Sequence, residues 1–416
     1  MKLYTGAAVE AAMKRQEIIL RAYAGKLTWI EAAEILGMSC RHLRRLRTSF
    51  EEHGFFALFD GRLGKTSPRR TPVALLEEVL RLYQEKYHDF NVRHFHEKLT
   101  AQHGIEVSYT WTKGVLQAAG LVAKQGRRKK FRKRRERRPL PGMMLHIDAS
   151  THQWFGDGRY HDLIVVLDDA TSEIYYSQLV GQESTATVMT ALRTVVEERG
   201  VFCTLYSDRA SHFFQTPKAG EPVDRQALTQ VGRALRELRI QMIAAYSPQA
   251  RGRSERSFRT WQGRLPQELR IRDITDVDEA NMFLRGEYTR EFNLKFSSTA
   301  REEGSAFVRS RLSKDELNRV FSIQHERLVN RDNTIRFANL VLQIERGSWH
   351  GSLTDSRVKV YQHLDDTISI GYGLHTVGRF NKTGHPIGGA RKVGIRKKKL
   401  ASPSEFQKQQ TGHLTC

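Results

Sequence analysis

Apolar residues recur at helical spacing through the N-terminal part of the chain, switch to strand spacing in the middle, and shorten to brief alternating runs near the end. Residues 13–24 predict a first helix, with Ile18, Ile19 and Tyr23 available for a core. Residues 28–36 predict a second, and Gly37-Met38 a tight turn. Ser39 can cap a third helix by accepting from its free backbone N–H groups. In that third helix Leu43, Leu46 and Phe50 share one face, which leaves Arg41, His42, Arg44, Arg45 and Arg47 largely on the others. A short helix, a Gly-containing turn and an Arg-studded helix form the pattern of a helix-turn-helix reader of the major groove. The plainer alternative is a small three-helix bundle with a solvated basic face.

Residues 73–87, 92–102 and 108–119 predict a second helical group, in which Ser108 can cap the last helix and Tyr109, Trp111 and Lys113 lie near its start. His94 and His96 fall on one helix at i, i+2, where side chains diverge, so they are not expected to share a metal. From position 143 the pattern becomes strands and helices. Strands are expected at 143–148, 160–167, 174–180, 201–207 and 240–244, with helices at 183–199 and 226–238. Asp168 and Asp169 read as turn-formers between two of those strands. Three early strands followed by alternating helix and strand imply a mixed sheet flanked by helices. Near the end, 317–327, 334–338, 341–345, 357–362 and 367–372 read as short strands of a small β-barrel, followed by a polar, basic tail.

Charge narrows the class of partner. Lys and Arg number 68 against 46 Asp and Glu, a formal net charge of +22. Such an excess favours polyanions, nucleic acid first and an anionic membrane surface second. Ten of the twelve positions 127–138 are Lys or Arg. So dense a block repels itself and is expected not to pack, yet it can order on a phosphate backbone through counterion release. A plain disordered linker and a nuclear-localisation segment are the other readings. The three cysteines, Cys40, Cys203 and Cys416, supply neither a disulfide framework nor a Cys-x-x-Cys pair, which suits a reducing cytosol. No apolar run reaches membrane-spanning length, and Glu10, Lys14, Arg15 and Glu17 stand where a signal peptide needs apolar residues. The expectation is a soluble intracellular protein with no membrane partner.

Three acidic residues carry the chemistry. Asp148 ends the run Met143-Met144-Leu145-His146-Ile147, and Asp208 ends Val201-Phe202-Cys203-Thr204-Leu205-Tyr206-Ser207. Glu255 lies just inside a helix that opens after Ser247-Pro248-Gln249-Ala250-Arg251-Gly252-Arg253-Ser254. If the first two strands are neighbours, their carboxylates meet at the sheet edge. Phe258, Trp261, Leu265 and Leu269 would pack the helix of Glu255 against the same sheet. Three carboxylates suffice for two Mg²⁺ ions, with Mn²⁺ as substitute, because Mg²⁺ takes oxygen donors and keeps waters. Asp148 would bridge the ions, Asp208 complete one site and Glu255 the other. His146 reads as a residue flanking that site or one satisfied by hydrogen bonds, and less readily as a ligand. The basic residues expected to hold DNA are Arg41, Arg44, Arg45 and Arg47, then Arg127, Arg128, Lys129, Lys130, Arg132, Lys133, Arg134 and Arg135, then Arg251, Arg253 and Arg256.

The pieces His146-Ile147-Asp148, Tyr206-Ser207-Asp208-Arg209 and Tyr246-Ser247-Pro248-Gln249-Ala250-Arg251-Gly252-Arg253-Ser254-Glu255-Arg256 resemble an insertion-sequence transposase of the ISNCY type, with a retroviral-integrase-type catalytic core. The resemblance covers roughly residues 143–270 well, and the flanking helix-turn-helix and barrel less specifically. It implies a ribonuclease-H-like fold, divalent metal, strand transfer by a DNA 3′-OH, and a dimer or larger assembly on double-stranded transposon ends and target DNA. Two departures stand out. Forty-six residues separate Asp208 from Glu255, more than in retroviral integrases, and 216–223 looks like an inserted surface loop. The His/Cys zinc domain that opens retroviral integrases is also missing.

The expected fold class is therefore multidomain: N-terminal all-α helix-turn-helix units, a central α/β ribonuclease-H-like mixed sheet and a C-terminal small β-barrel. The expected divisions are a helix-turn-helix domain at 1–60, a second helical DNA-binding domain at 73–123, a basic linker at 124–142, the catalytic core at 143–285, the barrel at 310–380 and a flexible basic tail at 381–416. The expected activity is that of a DNA transposase in a prokaryotic cytoplasm, associated with the nucleoid. A non-catalytic DNA-binding regulator derived from one, or a metal-dependent nuclease, are the alternatives.

Overall fold

Side-chain caps open the second and the third helices. Thr28 accepts from the Glu31 N–H at 3.2 Å while the Glu31 carboxylate accepts from the Thr28 N–H at 2.8 Å, a reciprocal capping box. Ser39 accepts from the His42 N–H at 3.3 Å and opens the third. The computed structural model describes residues 4–60, 71–124, 126, 136–215, 223–224, 226–246, 252–347 and 350–387. It divides into two units, Met1–Glu85 and Lys86–Cys416, and the division falls inside the segment 73–123.

The first unit holds α1 (Gly6–Tyr23), α2 (Trp29–Ile35), α3 (Cys40–His53), a 3-10 turn over Gly54–Leu58, and α4 (Val73–Glu85). Between α2 and α3, Gly37 takes φ +62, a conformation that costs glycine nothing, and the Met38 N–H donates back to the Ala33 carbonyl at 3.0 Å. Ala12, Ile18, Ile19, Ala32, Ala33, Leu43 and Leu58 form the core, with Leu46 and Phe50 partly buried against it. Tyr23, expected inside, is exposed. Its ring and that of Trp29 instead receive the Arg47 guanidinium, 5.3 and 4.8 Å from their centroids.

The second unit begins with α5 (Val92–His103) and α6 (Tyr109–Ala118), capped by Asn91 and Ser108. The strands β1 (Leu145–His152), β2 (His161–Asp168) and β3 (Ile174–Val180) lead to α7 (Thr185–Glu198), β4 (Thr204–Ser207), α8 (Gln230–Glu237) and β5 (Gln241–Ala244). The sheet order is β3-β2-β1-β4-β5: the first three strands are antiparallel, while β1–β4 and β4–β5 are parallel. Each face of this mixed sheet has its own core. Leu145 and Ile147 of β1 join Ile164 and Val166 of β2 under α7, through Val188, Leu192 and Val195. Leu163, Val165 and Leu167 face the opposite way.

That opposite face is covered by α9 (Gly252–Gln262), α10 (Leu265–Ile271), α11 (Val277–Phe283), a π-helical stretch Leu284–Tyr288, and α12 (Thr289–Phe296). Phe258, Trp261, Leu265 and Leu269 are all buried there, as their spacing predicts, although the helix breaks at Gly263-Arg264. An ionic cluster docks α5 on α10. Glu268 is 4% exposed and accepts from His94 Nε2 at 2.6 Å and Lys98 Nζ at 2.9 Å, while Arg264 grips Glu97 through two bonds of 2.8 and 2.9 Å. His96 turns instead to the Val107 carbonyl, so the two histidines have separate partners.

The last segment departs from expectation twice. The strand expected at 317–327 begins only at 323, and its first residues belong to α13 (Lys314–Val320), because Ser313 and Glu316 make a capping box and Leu317 and Val320 are buried at helical spacing. The strands β6 (Ile323–Leu328), β7 (Thr334–Phe337), β8 (Leu340–Gln343), β9 (Arg357–Gln362), β10 (Ile368–Tyr372) and β11 (His375–Phe380) follow. They do not close. A four-stranded sheet β11-β10-β9-β6 and a hairpin β7-β8 share one core of Ile335, Leu342, Val358, Val360 and Ile370, so the small barrel is corrected to two open antiparallel sheets. The tail from 388 lies outside the described residues. Among those described, no helix is long and apolar enough to cross a membrane.

Candidate active site

Pairing register brings the first two carboxylates to one level. Parallel partners on β1 and β4 are Leu145↔Leu205 and His146↔Tyr206, and continuing that register by two positions sets Asp148 beside 208. Asp148 is therefore not at a strand end. β1 runs on to His152 against β2, and it is the shorter β4 that stops, at Ser207, one residue before Asp208. Asp148 pairs with Val165 across β2, so it looks to the face that α9 covers. It is 6% exposed and Asp208 half-buried. Asp148 Oδ1 accepts from the Ala149 N–H and Asp208 Oδ1 from the Ala210 N–H, both at 3.0 Å.

Glu255 stands in the first turn of α9, where the positive end of the helix dipole favours a carboxylate. Phe258 and Trp261 press the helix on the sheet, and Gln262 Nε2 donates to Ser150 Oγ of β1 at 2.9 Å. The α9 helix thus lies on the face of Asp148, with Glu255 exposed at its opening. Among the described residues, no group of three or more His, Cys, Asp or Glu is arranged to hold a metal ion. The donor chemistry nonetheless suits Mg²⁺, since all three candidates are carboxylates. A cavity of about 440 Å³ lies against β5, lined by Phe213, Leu228, Met242 and Tyr246, and none of the three carboxylates borders it.

Asp168 and Asp169 do more than turn the chain. Both are fully buried. Asp168 accepts from the Thr171 N–H at 2.9 Å, a turn bond, and from the Gly142 N–H at 2.9 Å. Burial pushes its carboxyl up, against those donors. Asp169 accepts from His146 Nε2 at 2.7 Å and from the Arg138 N–H at 2.8 Å, and it is ion-paired with Arg253. Burial alone would raise its carboxyl, but His146, Arg138 and Arg253 hold it well below the usual carboxylate range. His146 is thus satisfied by a hydrogen bond.

The basic candidates divide. Arg41, Arg44, Arg45 and Arg256 are exposed. Arg47 is half-buried on its two aromatic rings and bonded to Glu51 at 2.9 Å, so it serves the bundle. Arg253 is 14% exposed and donates to the carbonyls of Asp169 and Glu136, each at 2.9 Å. These bonds tie Arg253, expected as a DNA contact, into the fold. Arg127, Arg128, Lys129, Lys130, Arg132, Lys133, Arg134, Arg135 and Arg251 lie outside the described residues. The end of the basic block packs after all, with Arg137 donating to the Ala170 carbonyl and Ser172 Oγ at 2.9 Å.

No protein-family profile matches the chain. The "Putative transposase y4bF" of Sinorhizobium fredii is 30% identical over 369 residues, which cover 88% of this chain and 80% of that one. The transposase for insertion sequence IS1202 of Streptococcus pneumoniae is 26% identical over 361 residues, 78% of this chain and 76% of that one. Among solved structures, the HTLV-2 integrase catalytic core domain in complex with magnesium aligns over 36% of this chain and 90% of its own, at 14% identity and a TM-score of 0.27. That likeness by itself establishes neither fold nor function.

Proposed function

Since the chain belongs to the transposase family that these two relatives represent, we propose that it binds the ends of a DNA element and carries out metal-dependent 3′-end cleavage and strand transfer. Asp148, Asp208 and Glu255 are its catalytic residues in this reading. What supports it most is the sheet register: parallel β1 and β4 level Asp148 with Asp208, and the helix of Glu255 is packed on the same face.

Asp148 would be shared by two Mg²⁺ ions, with Asp208 completing one site and Glu255 the other. When bound, Mg²⁺ supplies charge stabilisation for displacement at phosphorus. The chain's own part is to hold the DNA end in line. Water breaks the P–O bond at the transposon end, and the freed 3′-OH attacks a target phosphodiester, forming one P–O bond and releasing another 3′-OH. Arg41, Arg44 and Arg45, which are exposed, would read end sequence as part of a helix-turn-helix. Arg256 and the basic block 127–135 would bind phosphates, and the protein would act in the cytoplasm as a dimer or larger assembly on two ends.

The test is incubation of labelled end DNA and a target plasmid with Mg²⁺ or with EDTA. Joined end–target products in Mg²⁺ alone are expected. Hydrolysis without joining would favour a nuclease, and binding with no cleavage a regulator; either result contradicts the proposal.

A further inference from the structure

Asp169 joins the strand that carries Asp148 to the helix that carries Glu255. One of its carboxylate oxygens accepts from His146 Nε2 at 2.7 Å and is ion-paired with Arg253. His146 lies two residues before Asp148 on the same face of β1, and Arg253 two residues before Glu255 in the first turn of α9. Arg253 is held at further points by the Asp169 and Glu136 carbonyls, a fork geometry that fixes a guanidinium in one plane. Asp169 is itself anchored, its N–H donating to the Met144 carbonyl at 3.0 Å.

The geometry points to Asp169 as a positioning residue that, through His146 and Arg253, sets the separation of the Asp148 and Glu255 carboxylates for a divalent cation. This rests on the reading of those carboxylates as metal ligands. Mg²⁺ demands near-ideal octahedral contacts at about 2.0–2.1 Å, so its ligands tolerate little drift. Phe258 and Trp261 grip α9 one turn and more beyond Glu255, and in the opening turn Arg253 adds an ionic tie beside the buried Ser254. Groups that orient metal ligands from behind are typically worth about 10–100-fold in metal affinity.

The test measures Mn²⁺ binding to the full-length protein without DNA, by loss of the free-ion paramagnetic resonance signal, beside the Mg²⁺ dependence of strand transfer. Arg253→Gln and Asp169→Asn should weaken Mn²⁺ binding about 10–100-fold. They should also raise the Mg²⁺ needed for half-maximal transfer, with activity returning at high metal. Arg253→Lys keeps the charge without the fork, should fall between, and carries the test if Asp169→Asn does not fold. Unchanged Mn²⁺ affinity with activity reduced at every Mg²⁺ concentration would make the join a fold anchor only. Unchanged Mn²⁺ affinity with weakened DNA binding would make Arg253 a phosphate contact; either outcome overturns the inference. Asp148→Asn serves as the reference: Mn²⁺ binding unaffected by it defeats the metal-site reading itself, whatever Arg253 does.

Discussion

Trp261→Ala should loosen the one element that brings Glu255 to the sheet. The indole is fully buried and stacks on Phe292 at 4.4 Å with 16° between planes, with Tyr288 at 5.4 Å. A buried Trp removes about 200 Å² from water, worth about 5 kcal/mol at about 25 cal/mol per Å², an upper bound because unfolded chains are partly collapsed. Truncations of this kind cost about 3–5 kcal/mol. The indole N–H has no hydrogen-bond partner among the described residues, and removing it recovers about 1 kcal/mol. The net loss is about 3 kcal/mol, or about a hundredfold more frequent opening at 1.4 kcal/mol per tenfold. Hydrogen–deuterium exchange over 252–262 reads this directly. Trp261→Phe keeps the stack and should change exchange less than about tenfold, a cost near 1 kcal/mol. If Trp261→Ala raised exchange in α9 by less than about tenfold, the packing argument for Glu255 would be wrong.

Three further outcomes are expected. Glu268→Gln leaves Lys98 and Arg272 without their buried partner and should destabilise the second unit by about 3–5 kcal/mol in urea unfolding. Stability of that unit should fall as pH drops. Burial holds His94 below its ordinary 6.5 despite Glu268, so the unfolded chain takes up that proton first below about 6.5; burial would raise Glu268, but His94 and Lys98 hold it below 4.5, and its contribution, present above 4.5, is lost as pH falls further. A melting temperature flat from pH 7 to 4 would contradict this. Arg44→Ala should weaken end DNA about 10–100-fold and random DNA far less, as loss of a base contact does; equal losses in a competition binding assay would remove α3 as the reader.

Much of this architecture could be read from local chemistry. Gly37 and Ser39 announce their turn because caps and positive φ are properties of single residues. Strands Ile174–Val180 and Arg357–Gln362 match expectation because alternation and flanking turns agree there. Leu317 misled because an apolar residue serves helix and strand alike, and only the pair Ser313 and Glu316 separates them. β11 escaped notice because Gly378 and Arg379 interrupt its apolar pattern. Barrel closure was not legible, since it depends on which edges pair. Asp148, Asp208 and Glu255 are proposed from their flanks, whereas the His146–Asp169–Arg253 chain has no such local signal. Its members are far apart in sequence, and neither the charge of Arg253 nor the turn position of Asp169 reveals that the two pair.

Anomalous diffraction from crystals of the protein on end DNA with Mn²⁺ tests the central claim most directly. Manganese is expected at Asp148 with Asp208, and at Asp148 with Glu255. Manganese bound elsewhere, or held without Asp148, would contradict it.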